Sequence, residues 1–157
     1  TSNPSQKILV VVGDGPERIN LLRIVGERGI NDKIIFIQYL PYSQMLGLYR
    51  EAKCLILGSV PQSTWQEQFG YVLAEAICAG VPIVSTYCGA IPEVVGEAGL
   101  LVPPAHPIAL SNALLSTDET AVYAELKAGC QKEMKKFAAE GYAKKVADVY
   151  RSLTGRN

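Results

Sequence analysis

The alternation of short apolar runs with longer helical segments is the feature that most constrains this chain. The run Lys-Ile-Leu-Val-Val-Val at residues 7–12 predicts a buried strand, and the glycine-rich turn after it ends that strand. Further strands are predicted at residues 33–37, 54–57, 82–86 and 100–102, and helices at 17–28, 43–52, 70–79, near Pro92, 107–115, 117–137 and 140–153. Strands that are apolar throughout and alternate with helices are typical of a parallel sheet covered on both faces. We therefore expect residues 1–157 to form one α/β domain.

Composition excludes several classes of function. The 157 residues are 48% hydrophobic and 19% charged, which is the balance of a soluble globular protein. Fifteen basic residues offset fifteen acidic ones, so the chain lacks the excess positive charge of a nucleic-acid-binding surface. No apolar run approaches the roughly 20 residues of a membrane helix, and the N-terminus has no signal-peptide pattern. We expect a cytoplasmic protein that does not bind nucleic acid.

The cysteines and the single histidine give no sign of a metal site. The four cysteines show no C-x-x-C spacing, and Cys54, Cys78 and Cys88 lie among apolar or small residues. We expect all four, including Cys130, to be reduced structural thiols, with at least two of them buried. His106 lies in Pro-Pro-Ala-His-Pro without other ligands nearby, which indicates a loop or the start of a helix. No metal ion is predicted to bind.

The segment from residue 65 to residue 80 is the most informative stretch for function. Gly70 lies where a loop meets a helix, so its missing side chain would let an anionic ligand approach the first free N–H groups of that helix. Glu75 is the only charge in an otherwise apolar helix, and that helix has no Lys or Arg to pair with it. A pair of ligand hydroxyls would satisfy this carboxylate; solvent or a neighbouring strand would also do so. The two residues are separated by about 7–8 Å along a helix, roughly the span from a diphosphate to the ribose of the same nucleotide.

These residues belong to a recognisable pattern. Glu67-x-Phe69-Gly70 followed by Glu75-Ala76 resembles the Glu-(seven residues)-Glu motif of retaining GT-B glycosyltransferases, the glycosyl transferases group 1 or glycogen-synthase-like family. The resemblance continues at residues 12–16, 80–84, 89–93 and 99–104 and in the closing helix, so it covers nearly the whole chain. It implies the donor-binding C-terminal domain of such an enzyme, with a Rossmann-like parallel sheet and helices on both faces.

The resemblance also implies roles for individual residues. Glu67 would contact the hydroxyls of the transferred sugar and act by positioning and electrostatic stabilisation. Glu75 would bind the nucleotide ribose, and the loop at Tyr39 and Leu40 would meet the base through backbone atoms. The backbone at four consecutive residues would hold the diphosphate: Phe69, Gly70, Tyr71 and Val72. The ligand is then a nucleotide-diphosphate sugar, bound as substrate without a metal.

The chain also departs from the family pattern. The first strand of the donor domain, with its Gly-Arg…Lys-Gly segment, has no counterpart, and neither has the N-terminal acceptor domain. Gln38 stands where a glycine is common, and Ala90 stands where a second glycine is common. We therefore expect a fragment of a two-domain enzyme that is inactive alone; peripheral membrane association through the missing domain is left open. The alternative is a non-catalytic nucleotide- or sugar-binding module, and the sequence does not decide among UDP, GDP and ADP.

Overall fold

The computed structural model describes residues 7–155, which form strands and helices in the predicted order. The strands are β1 (Leu9–Val12), β2 (Ile34–Ile37), β3 (Leu55–Leu57), β4 (Ile83–Thr86) and β5 (Gly99–Val102). The helices are α1 (Arg18–Glu27), α2 (Tyr42–Glu51), α3 (Tyr71–Cys78), α4 (Ile91–Val95), α5 (Pro107–Ser116), α6 (Thr120–Glu133) and α7 (Ala139–Thr154). Short 3-10 turns lie at Asn31–Lys33, Gly96–Ala98 and Met134–Phe137. No helix in this range is both long and apolar enough to cross a membrane.

Every strand pairing in the described part of the chain is parallel, as the continuous apolar runs predicted. β1 pairs with β2, with Leu9 opposite Ile34. A second group has the order β3-β4-β5, with Ile83 of β4 between Leu55 and Gly99. Among residues 7–155, β1 and β3 therefore each have one partner strand, and the strands form two groups instead of one continuous ladder.

The chain divides into two compact units, one up to Met45 and the other from Leu46 onward. The first unit contains β1, α1 and β2, and the guanidinium of Arg18 lies 5.6 Å from the centre of the Phe36 ring. In the second unit α3 packs against α4, α6, β3 and β4. All four residues of β4 are buried, as are most of the apolar side chains of α3. The core of the second unit thus lies directly beneath the segment that carries the motif.

A buried carboxylate fixes the turn that precedes β5. Glu133, near the end of α6, is 4% exposed and accepts a hydrogen bond from the N–H of Glu97 at 3.3 Å. Lys136 forms an ion pair with its other oxygen. Burial alone would raise the pKa of Glu133, but the bonds from Lys136 and Glu97 outweigh it and hold the pKa below its ordinary value. Folding therefore favours the ionised form of this group.

Two of the cysteines are buried and the histidine begins a helix, as expected. All four cysteines are free thiols, with Cys88 and Cys130 buried, Cys54 partly buried and Cys78 exposed. Burial raises the pKa of Cys130 to about 11 and also raises the pKa of Cys78. His106 caps α5, because its Nδ1 accepts a hydrogen bond from the N–H of residue 109 at 3.1 Å.

Candidate functional site

The N-terminus of α3 follows a buried glycine, and the reason for that glycine is local. Gly70 has φ +76° and precedes the helix without any side-chain cap. A Cβ at this position would lie 2.7 Å from the end of the flexible Leu73 side chain, which can move aside, so the positive φ is the main local reason for glycine. Tyr71 and Val72 form the first turn, where N–H groups have no carbonyl partner within the helix. Close approach of a ligand is thus not needed to explain Gly70, although the positive end of the helix stays available to an anion.

The Phe69 side chain anchors the approach to this helix. Its ring lies 5.1 Å from the Tyr71 ring and meets the edge of the Phe137 ring at 6.2 Å. Aromatic pairs at these separations are favourable beyond their buried area. The ring therefore holds the segment in place, and any ligand contact predicted for Phe69 falls to its backbone.

The partner of Glu75 is a tyrosine that lies 26 residues earlier in the chain. The Tyr49 hydroxyl on α2 donates a hydrogen bond to Oε2 of Glu75 at 2.9 Å. Tyr49 is 4% exposed, whereas Glu75 is only partly buried. The carboxylate is thus less buried than its apolar neighbours suggested. The sequence left open that a neighbouring strand would satisfy the Glu75 carboxylate. A neighbouring residue does so in part, but it lies on a helix.

Three backbone carbonyls fix the loop between β3 and α3. The hydroxyls of Ser85 and Thr86 donate to the carbonyls of Leu57 and Ser59, at 2.6 and 2.5 Å. Further along, the Ala90 N–H donates to the Glu67 carbonyl at 2.9 Å. Only the backbone of Ala90 is used, so alanine serves as well as the glycine common at this position. Both ends of the loop are therefore tied to β4 and to the start of α4.

Gly89 lets the loop after β4 approach the backbone of Glu67 closely. It has φ +55°, and a Cβ added there would lie 1.9 Å from the carbonyl oxygen of Glu67. The loops that follow β3 and β4 thus touch through main-chain atoms. A side chain at Gly89 would separate them and move Glu67.

A pocket of about 640 Å³ lies between these two loops. It is lined by residues 62–68 together with Gly89 and Ala90. Its lining contains one charge, Glu67, alongside glutamine amides, the Ser63 and Thr64 hydroxyls and the indole of Trp65. Sequence reasoning gave no role to Trp65, although it begins the informative segment. A lining with one carboxylate and no cation suits a neutral ligand rich in hydroxyl groups better than it suits a diphosphate.

Tyr39 and Leu40, predicted to meet the base, lie in the first unit directly after β2 and Gln38. Tyr39 is 78% exposed, and Leu40 is partly buried. The Gln38 amide and the Gly15 N–H both donate to Asp14, at 2.6 and 2.9 Å, and lower the pKa of that carboxyl. The loops after β1 and β2 are therefore joined by a side chain that stands where the family commonly has glycine. The remaining predicted site residues, from Glu67 to Glu75, all lie in the second unit.

Comparison with known proteins identifies the family. The family model described as Glycosyl transferases group 1 matches residues 3–136. The chain belongs to this family. Among curated members, it is 31% identical over 124 residues to the 2-deoxystreptamine glucosyltransferase of Streptomyces kanamyceticus. That match covers 76% of this chain and 31% of the relative, and the chain spans about a third of the length of the curated relatives it matches first.

Solved structures share the fold of this group 1 domain. Anabaena HepE, solved in complex with UDP-glucose, gives a TM-score of 0.78 at 23% identity, covering 95% of this chain and 42% of that one. The C-terminal domain of the group 1 protein LpcC from Francisella tularensis gives 0.70 at 22% identity, covering 82% and 68%. These likenesses confirm the predicted α/β fold of a GT-B C-terminal domain.

Proposed function

We propose that this group 1 domain is the donor-binding part of a longer retaining glycosyltransferase, and that it binds a nucleotide-diphosphate sugar. The observation that carries the proposal is the uncapped start of α3 at Gly70, which has Glu67 just before it and Glu75 on the same helix. One short segment thus combines an anion-binding helix end with two carboxylates that can accept hydrogen bonds from hydroxyl groups.

Each part of the donor has a proposed partner. The N–H groups of the first turn, at Tyr71 and Val72, hold the diphosphate together with the backbone at Phe69 and Gly70. Glu75 accepts hydrogen bonds from the ribose hydroxyls, and the Tyr49 hydroxyl restrains its carboxylate. Backbone atoms of Tyr39 and Leu40 contact the base.

Glu67 is proposed to lie beside the transferred sugar. Its backbone is fixed by Ala90 and Gly89, which keeps the carboxylate in one place while charge develops at the anomeric carbon. Negative charge on the departing diphosphate is stabilised by the helix terminus and by basic groups outside this chain, without a metal. The acceptor site is proposed to lie in a second, N-terminal domain.

Calorimetry tests the proposal directly. UDP, GDP and ADP and their glucose conjugates are titrated into the chain, into Glu75→Gln and into Glu125→Gln, a matched change on the exposed surface of α6. We expect one nucleotide to bind, and its affinity to fall about tenfold or more in Glu75→Gln, because a charged hydrogen bond is worth about 1.5–3 kcal/mol. Glu125→Gln should bind like the parent chain.

Two results would count against the proposal. If Glu75→Gln binds the selected nucleotide as tightly as the parent, Glu75 does not contact the ribose. If no nucleotide or nucleotide-sugar binds, the chain is not a donor-binding module. Binding without sugar transfer, when the chain is joined to an acceptor domain from a group 1 relative, would favour the non-catalytic alternative.

A further inference from the structure

A backbone bridge fixes the main chain of the 62–68 loop at the residue that carries the tryptophan of the pocket. Gln62 and Trp65 form an isolated antiparallel bridge, with Gln62 N–H to Trp65 carbonyl at 2.7 Å and the reverse bond at 3.2 Å. Ser63 and Thr64 form the tip of this tight turn. The bridge uses only backbone groups, so the indole takes no part in it. Trp65 is 49% exposed and lines the pocket.

An aromatic ring left half exposed in a polar pocket has a specific chemical use. Its face carries partial negative charge and attracts weakly positive C–H groups. A pyranose ring presents C–H groups on its faces and hydroxyl groups at its edge. Glu67 can accept bonds from those hydroxyls, and the amides of Gln62, Gln66 and Gln68 can donate and accept.

The charge of the pocket restricts the class of ligand further. Glu67 is the one ionised group in the lining, so a phosphate placed here would meet repulsion without a compensating cation. The volume of about 640 Å³ lies within the range of small-molecule sites and leaves room beyond one ring.

We propose that Trp65 is a stacking platform for a pyranose ring, with Glu67 and the glutamine amides binding the hydroxyls at the ring's edge. None of the roles proposed above for the donor site involves this indole. The inference deepens the proposed function. It rests on that function where the stacked ring is taken to be a sugar of the transfer reaction, either the transferred sugar of the donor or a sugar acceptor beside it. In both cases Trp65 selects for a sugar and not for the nucleotide.

The chain contains its own reporter, since Trp65 is its single tryptophan. Tryptophan emission and its quenching by iodide are followed while three ligands are added: the nucleotide diphosphate, its glucose conjugate, and methyl glucoside with the nucleotide present. We expect the nucleotide alone to leave Trp65 unprotected. Protection by the glucose conjugate identifies the transferred sugar as the stacked ring, and protection by methyl glucoside identifies an acceptor.

Calorimetry on variants completes the test. Trp65→Ala should weaken binding of the protecting sugar ligand about tenfold and leave nucleotide binding within about twofold. Trp65→Phe should recover part of the loss, and Tyr150→Ala, which removes an exposed aromatic ring on α7, should have no effect. Because Trp65 is half exposed and its bridge is made by the backbone, we expect thermal unfolding of the variants to match that of the parent.

The outcomes separate the two proposals. Calorimetric binding of the glucose conjugate with no change at Trp65 in any arm would overturn the stacking inference alone. Equal protection by the nucleotide alone would also overturn it, because the base would then be the stacked ring. If no nucleotide binds but methyl glucoside protects Trp65, the donor proposal fails and the sugar platform stands; if neither binds, both fail.

Discussion

Replacing Tyr49 by phenylalanine tests whether its hydroxyl restrains the carboxylate of Glu75, which is proposed to bind the ribose. The change deletes one hydrogen bond, 2.9 Å long, to Glu75 and leaves the volume of the ring unchanged, so no cavity adds to the cost. A bond to a charged acceptor contributes about 1.5–3 kcal/mol. Because Glu75 is partly exposed, water can replace the lost donor, and we expect the lower limit, about 1.5 kcal/mol. Urea unfolding followed by Trp65 emission measures this loss, since all three residues belong to the same unit.

A double-mutant cycle isolates the pair. Tyr49→Phe, Glu75→Ala and the double variant should show a coupling energy of about 1 kcal/mol, because each single change removes the same bond. Freeing the carboxylate should also weaken binding of the selected nucleotide about fivefold, since the side chain must then be ordered when the ligand binds. The 2′,3′-dideoxy nucleotide should be insensitive to Tyr49→Phe, because it has no ribose hydroxyls for Glu75 to bind.

Two measurements would refute this reasoning. A coupling energy within about 0.3 kcal/mol of zero would show that Tyr49 does not restrain Glu75. An equal loss of affinity for the dideoxy nucleotide would show that the tyrosine acts on the general fold and not through the ribose.

Three further predictions concern the framework of the second unit. Gly89→Ala should lower the free energy of unfolding by more than about 2 kcal/mol, because a positive φ and a facing carbonyl leave no room for a Cβ. Gly141→Ala, where the Cβ would meet only an ordinary contact at 3.8 Å, should change the free energy of unfolding by less than about 1 kcal/mol. Equal effects of the two substitutions in calorimetric scans would contradict the argument. The depressed pKa of Glu133 means that its contribution to stability is present at neutral pH and is lost as pH falls below about 4. Glu133→Gln should therefore flatten the acid limb of a plot of melting temperature against pH. An unchanged acid limb would count against this assignment. Iodoacetamide at neutral pH should modify the exposed Cys78 before the buried Cys130, whose pKa is raised to about 11; mass spectrometry follows the order, and equal rates in the folded protein would be inconsistent with this burial.

The strands and helices could be predicted from local pattern because the signals are strong and lie close together. The four buried residues of β4 are apolar or small, and the glycine at residue 80, with φ +72°, ends α3 where the pattern placed it. The cap at His106 followed from its position before Pro107. In each case one short stretch of sequence contains both the element and the residue that terminates it.

The contacts that shape the site could not be predicted in the same way. Tyr49 and Glu75 belong to different helices, and only tertiary packing brings the hydroxyl to the carboxylate. The sequence suggests ligand access as the reason for glycine at residue 70, whereas its positive φ is a sufficient local reason, because a sequence does not show the backbone angle at a turn. The pocket at Trp65 depends on a backbone bridge and on a neighbouring loop, neither of which has a local signature. The functional roles of Glu67 and Glu75 stay predictions until ligands are measured.

The way the β3–α3 loop is attached has an evolutionary consequence. Its stems are fixed at the carbonyls of residues 57, 59 and 67, by hydroxyls and an N–H that belong to the strand and helix beside it. Such anchors do not depend on which side chains the loop displays. Mutation can therefore exchange the residues at the tip with little cost to folding, while the frame keeps each new side chain at the same place. Related enzymes could diversify their ligands by substitution within this loop without changing the fold around it.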